Sequence, residues 1–140
     1  MGFGLIESVI AMSIGVLVAL SLTTITIYGL KNARGLKEKE LLYSSTNFFT
    51  QRIAFLMKQA KKFETPSPST LQITLSDKTV VVEKSGNDIL IEGKKANAAG
   101  VTVEELKFTT MQRSVRINFV FKSGNERFMA TTTIARRNAL

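Results

Sequence analysis

The chain has no cysteine and no histidine. Without thiols there can be no disulfides, thiolate metal sites or cysteine nucleophiles. Without imidazole the commonest general base and metal ligand is missing too. Metal-dependent and triad-based catalysis are therefore not expected, and the composition reads as a protein that is not an enzyme and carries no cofactor. Phosphate-cradling glycine loops and internal repeats are absent as well. Asp77, Asp88, Glu104 and Glu105 show no pairing that would make an acid–base couple, and they read as solvated turn and edge residues. Proline is scarce: the only two are Pro66 and Pro68, so no ring interrupts a helix upstream of them. The most informative absence is charge, because in the 28 residues from Phe3 to Leu30 only Glu7 is ionised.

What fills that stretch is apolar. At ~1.5 Å per residue a helix of this length reaches roughly 42 Å, enough to cross a bilayer core of about 30 Å. A soluble core helix rarely runs so far without a polar face. Glu7 is then the residue to explain, since a carboxylate within a membrane helix is costly and usually paired. No Lys or Arg precedes Lys31 to pair with it. A cut after Gly2 would expose a new α-amino group on Phe3, four residues from Glu7 and on the same helix face. Within one chain the two groups meet imperfectly, because the helix N-terminus is already electropositive and aims its N–H groups along the axis. Between staggered chains, the amine of one can meet the carboxylate of another inside an apolar bundle.

Gly2-Phe3-x-Leu5-x-Glu7 followed by a long apolar run resembles the amino terminus of type IV pilins and of the pseudopilins of type II secretion and competence systems. The resemblance covers about the first thirty residues. It implies that a prepilin peptidase cuts after Gly2 and that the new terminus at Phe3 is N-methylated. It also implies that Phe3 and Glu7 guide the subunit into a helical filament. The basic residues that normally precede the glycine are not in this sequence, where Met1 alone stands before it, so residues 1–2 are read as the remainder of a leader. Many pilins have a proline part-way along this helix; here Thr23, Thr24 and Gly29 are expected to loosen it instead. The disulfide-closed loop of many major pilins cannot form. The plainer reading of the same segment is a signal anchor, but a signal peptide has a shorter apolar region, and its small-residue cleavage site follows that region.

Net charge is +8, and after Leu30 the basic residues outnumber the acidic ones by nine. Such an excess suits an anionic partner: nucleic acid, lipid headgroups or an acidic neighbouring subunit. Lys31, Arg34, Lys37 and Lys39 follow the apolar run directly and read as an interfacial anchor.

Beyond this junction helical periodicity resumes. Leu41/Leu42, Phe48/Phe49, Phe55/Leu56 and Phe63 recur every seven residues, with Ile53, Met57 and Ala60 on the same side, as a core-facing stripe requires. The helix is predicted over residues 3–63, with a transmembrane or filament-core segment at 3–30 and an amphipathic segment at 31–63. Thr65-Pro66-Ser67-Pro68-Ser69 should stop it. From Leu71 the period falls to two. Strands are predicted at 71–75, 79–83 and 89–92 as a meander, then a broken strand over 101–109 and a hairpin of 114–121 with 127–135. Residues 93–100 read as a partner-facing loop. The fold class is α+β: a long N-terminal helix packed against a C-terminal antiparallel β-sheet over residues 64–140. The terminal hairpin, with its Thr-rich last strand, is similar to those of minor pilins and pseudopilins.

The implied function is that of a structural filament subunit, a minor pilin or pseudopilin. It would be single-pass in the bacterial cytoplasmic membrane before assembly and extracytoplasmic afterwards. Its partners would be other pilin or pseudopilin subunits, the prepilin peptidase and the membrane. One alternative is a DNA-binding minor pilin of an uptake filament, contacting phosphates through Lys94, Lys95, Arg113, Arg116, Arg136 and Arg137. No exposed aromatic is expected among these cations to stack on bases. The other alternative is a generic signal-anchored extracytoplasmic protein.

Overall fold

A computed structural model describes residues 4–137. One long helix, α1 (Leu5–Gln59), is followed by eight strands: β1 (Lys62–Ser67), β2 (Thr70–Thr74), β3 (Thr79–Ser85), β4 (Asp88–Ile91), β5 (Lys94–Lys95), β6 (Thr102–Thr110), β7 (Ser114–Ser123) and β8 (Glu126–Ala135). The chain divides into two compact units, Met1–Lys37 and Glu38–Leu140. The fold is α+β, a long N-terminal apolar helix with C-terminal β-structure, which is a general pilin-like architecture.

The described part of the first unit is helical from Leu5 onward, and its large apolar side chains are exposed, Leu5, Ile6, Met12, Leu17 and Ile25 among them. Its polar side chains are largely silenced from within. Ser13, Ser21, Thr23, Thr24 and Thr26 each donate a hydroxyl to the carbonyl four residues back, at 2.8–2.9 Å. A hydroxyl bonded in this way presents no unmet donor to hydrocarbon, so the run is more apolar than its composition suggests. The expected loosening at Thr23, Thr24 and Gly29 is not seen, and the helix continues unbroken through all three. Among the described residues, α1 is the one helix long and apolar enough to cross a membrane, which suggests a membrane anchor.

In the second unit the carboxyl-terminal part of α1 packs against two antiparallel sheets. The first has strand order β1-β2-β3-β4-β5 and the second β6-β7-β8, so the expected single sheet is divided in two. The helix buries Leu42, Ser45, Phe49, Ile53, Leu56 and Met57. Phe48 and Phe55, expected on this stripe, are instead exposed at 56% and 51%. Adjacent helical positions are about 100° apart, so a stripe two residues wide at each turn cannot be buried throughout. Leu71, Ile73, Val80, Val82 and Ile89 close the core from the first sheet, and Val115, Ile117, Phe119 and Phe121 from the second. Phe49 fixes the helix on the second sheet: its ring meets Phe119 edge-on at 5.6 Å and Phe121 at 5.9 Å.

Helix α1 ends at Gln59 and not at Phe63. The Lys61 N–H donates to the Thr74 carbonyl, and Phe63 pairs with Ile73, which turns its ring toward the core from a strand. Pro66 is accommodated because β1 is an edge strand whose register with β2 shifts between Glu64 and Ser67. In the expected 93–100 loop, Lys94 and Lys95 form β5 after a two-residue turn. Both turn residues are left-handed, Glu92 at φ 55° and Gly93 at φ 75°.

Candidate functional site

Three regions hold the residues singled out by sequence. At the start of α1, the Gly4 carbonyl accepts from the N–H groups of Glu7 and Ser8, and the Gly4 N–H donates to Glu7 Oε2 at 2.8 Å. This is half of a capping box: Glu7, three residues after the cap, reaches back to its backbone N–H and satisfies one orphan donor. The carboxylate also lies at the positive end of the helix dipole, where negative charge is favoured. Glu7 is exposed among exposed apolar neighbours. Gly2 and Phe3, the expected processing and assembly residues, lie outside the described residues.

The basic candidates fall into two groups. Arg113 sits in the turn between β6 and β7, Arg116 is exposed on β7, and Arg136 and Arg137 follow β8. The β7–β8 register sets Arg116 opposite Thr133 and Ser114 opposite Ala135, so all four arginines gather at one end of the three-stranded sheet. The cluster is tied down by its backbone, since the Arg136 N–H donates to the Arg113 carbonyl at 2.7 Å. The Arg136 guanidinium also donates to the Lys61 carbonyl at 2.5 Å, which holds it in place without neutralising it.

Lys94 and Lys95 belong to the other sheet. With Phe48, Arg52, Ile91, Glu92 and Ala96 they line a shallow cavity of about 290 Å³. Contrary to the sequence expectation, an exposed aromatic does stand among cations here, namely Phe48. Its signal in the sequence was the four-residue spacing of Phe48 and Arg52, which puts both on one helical face. Two carboxylates offset the local charge. Lys95 pairs with Asp88 at 2.9 Å and Lys78 with Glu92 at 2.6 Å. Hydrogen bonds from Asn97 and then Lys95 hold the Asp88 carboxyl below its ordinary value, and the bond from Lys78 does the same for Glu92.

No family model, curated protein or solved structure matches this chain.

Asn97 is the residue that sequence reasoning passed over. It is buried; its Oδ1 accepts from the Ile89 N–H at 3.0 Å, while its Nδ2 donates to Asp88 and to the Val101 carbonyl. It organises the loop beside Lys95 and leaves no polar atom of its amide idle. Among the described residues no group of three carboxylates gathers to hold a metal ion.

Proposed function

We infer that the chain is a structural, non-catalytic subunit of a type IV pilus, type II secretion or competence filament, a minor pilin or pseudopilin anchored in the bacterial cytoplasmic membrane before assembly. The observation that carries this reading is Glu7, the lone acid in an otherwise uncharged apolar run, placed four residues after Phe3 in Gly2-Phe3-Gly4-Leu5-Ile6-Glu7. A membrane anchor alone would use the carboxylate only as a local cap on Gly4, whereas a filament core can also use it to receive the amino terminus of a neighbouring subunit. The partners on this reading are other pilin or pseudopilin subunits and a prepilin peptidase. Mass spectrometry of the mature amino terminus is the direct test. N-methyl-Phe3 supports processing for a filament; a chain that retains Gly2 leaves only a signal-anchored protein.

A second reading, DNA capture at the filament surface, is favoured by the gathering of Arg113, Arg116, Arg136 and Arg137 at one sheet end. Phosphate contacts of this kind give affinity that falls steeply with salt. A gel shift across a salt series, with the full chain in detergent and with all four arginines changed to Gln, tests it. Equal retention by both proteins at low salt removes the arginines from the role.

A further inference from the structure

The two sheets have four edges, and three of them carry features that discourage pairing with another chain. β1 contains Pro66, which has no N–H to offer, and its register is broken. β5 is two residues long, and both are lysine. β6 carries Glu104, Glu105 and Lys107 and is irregular between Val103 and Glu105. Its outer side is also partly occupied, with the Val103 N–H on the Asn87 carbonyl and the Phe108 N–H on the Pro68 carbonyl.

β8 has none of these protections beyond its first two residues, Glu126 and Arg127. It is ten residues long and, among the described residues, pairs only with β7, in unbroken register from Ser123↔Glu126 to Ser114↔Ala135. Among the described residues, no backbone group of β8 is hydrogen-bonded on its other side. From Phe128 to Ala135 it contains no charge, proline or glycine, and its Thr131-Thr132-Thr133-Ile134 run is all β-branched. Arg127, Met129, Thr131, Thr133 and Ala135 are exposed on one face. A long free edge, uncharged from Phe128 to Ala135, is a template for another strand.

We propose that β8 pairs antiparallel with β8 of a second copy of this chain, joining two three-stranded sheets into one of six strands about a two-fold axis. The occupant is named by the strand's own complementarity. Centred on Thr131, the pairing sets Thr131 opposite its copy, Met129 opposite Thr133, Arg127 opposite Ala135 and Glu126 opposite Arg136. Opposite charges therefore stand directly opposite at both ends, and no like charges do. A shift of one residue in the pairing turns the exposed face of one strand against the core face of the other. Sliding the centre by one residue toward the carboxyl end brings Arg127 opposite Arg137, and sliding it the other way leaves Glu126 opposite Ile134. A two-fold pair has no head-to-tail direction, so it is not the repeating contact of a helical polymer. It belongs to copies outside a filament and stands or falls separately from the filament reading.

The absence of cysteine makes the register directly measurable with single-cysteine variants of the full chain in detergent micelles. Thr131→Cys is expected to give a covalent dimer with a short bismaleimide. Ala135→Cys alone is not, because its copy lies about 27 Å away along the strand at ~3.4 Å per residue. Ala135→Cys mixed with Arg127→Cys should cross-link again. Thr131→Lys, which sets two ammonium groups face to face, should convert the dimer to monomer in light scattering while the chain still melts cooperatively as a folded protein. A monomeric parent chain, cross-linking at Ala135 as strong as at Thr131, or a dimer indifferent to Thr131→Lys overturns the proposal; the last outcome would move the contact to the apolar helix.

Discussion

The Gly4 N–H donates to the Glu7 carboxylate at 2.8 Å, so the one acid of the apolar run already has a partner in its own chain. Two roles for Glu7 follow, a local cap and an intersubunit charge, and they separate by substitution. Glu7→Gln keeps a side-chain acceptor of the same reach, as capping boxes accept Gln, but removes the charge. Glu7→Ala removes both. If the charge guides assembly, both variants should enter the membrane and fail to enter filaments. Incorporation of Glu7→Gln at the parent level, with failure of Glu7→Ala, would assign Glu7 to the cap alone. Filament pull-down with quantitative immunoblotting reads the difference.

Phe48 and Phe49 are neighbours with opposite fates. Phe49 is 1% exposed and contacts two other rings, whereas Phe48 is 56% exposed. Phe49→Ala should cost about 3–5 kcal/mol, through lost transfer energy and the cavity it leaves. Phe48→Ala should stay within about 0.5 kcal/mol, as surface substitutions do. Leu56→Asp, at 3% exposure, buries an unpaired charge and should unfold the second unit outright. Thermal melts of the three variants beside the parent chain check the order.

The long helix, the change of period near Leu71 and most strands were legible because each rests on local pattern. The alternation of β7, buried at Val115, Ile117, Phe119 and Phe121, is written in the residues themselves. β1 was hidden for a physical reason. Phe63 lies seven residues after Leu56, a spacing that suits a helix face, while its pairing with Ile73 suits a strand equally well, and only the long-range partner decides. The division into two sheets and the gathering of Arg113 with Arg136 depend on contacts distant in sequence, which no local period records. Asn97 was invisible because a buried amide resembles a loop amide until its partners are known.

Glu92 occupies the first position of the β4–β5 turn at φ 55°, followed by Gly93 at φ 75°. Two left-handed residues in a row define the turn type for which Asn-Gly is preferred, and a Glu there is strained. Its compensation is the ion pair with Lys78, which is largely open to water and therefore weak. Relief of backbone strain should outweigh loss of that pair, so Glu92→Asn should raise the melting midpoint. Glu92→Ala, which loses the pair and gains no turn preference, should lower it. The opposite signs of the two variants in calorimetry make the test.

Asp88 links acid pH to Lys95 on β5. Asn97 and Lys95 both favour its charged form, so its folded pKa lies below the ordinary 3.8. A carboxylate depressed on folding contributes stability that is complete above its unfolded value and is lost as pH falls through the folded one. The contribution is thus intact at neutral pH and begins to be lost only below about pH 4, the ordinary carboxylate range. Asp88→Asn cannot titrate, and it loses the Lys95 ion pair at every pH. Its melting midpoint should lie below the parent's at pH 7, and the gap should narrow as acid protonates the parent's carboxylate. A gap that stays constant as pH falls would show that Asp88 acts through packing and not through its charge.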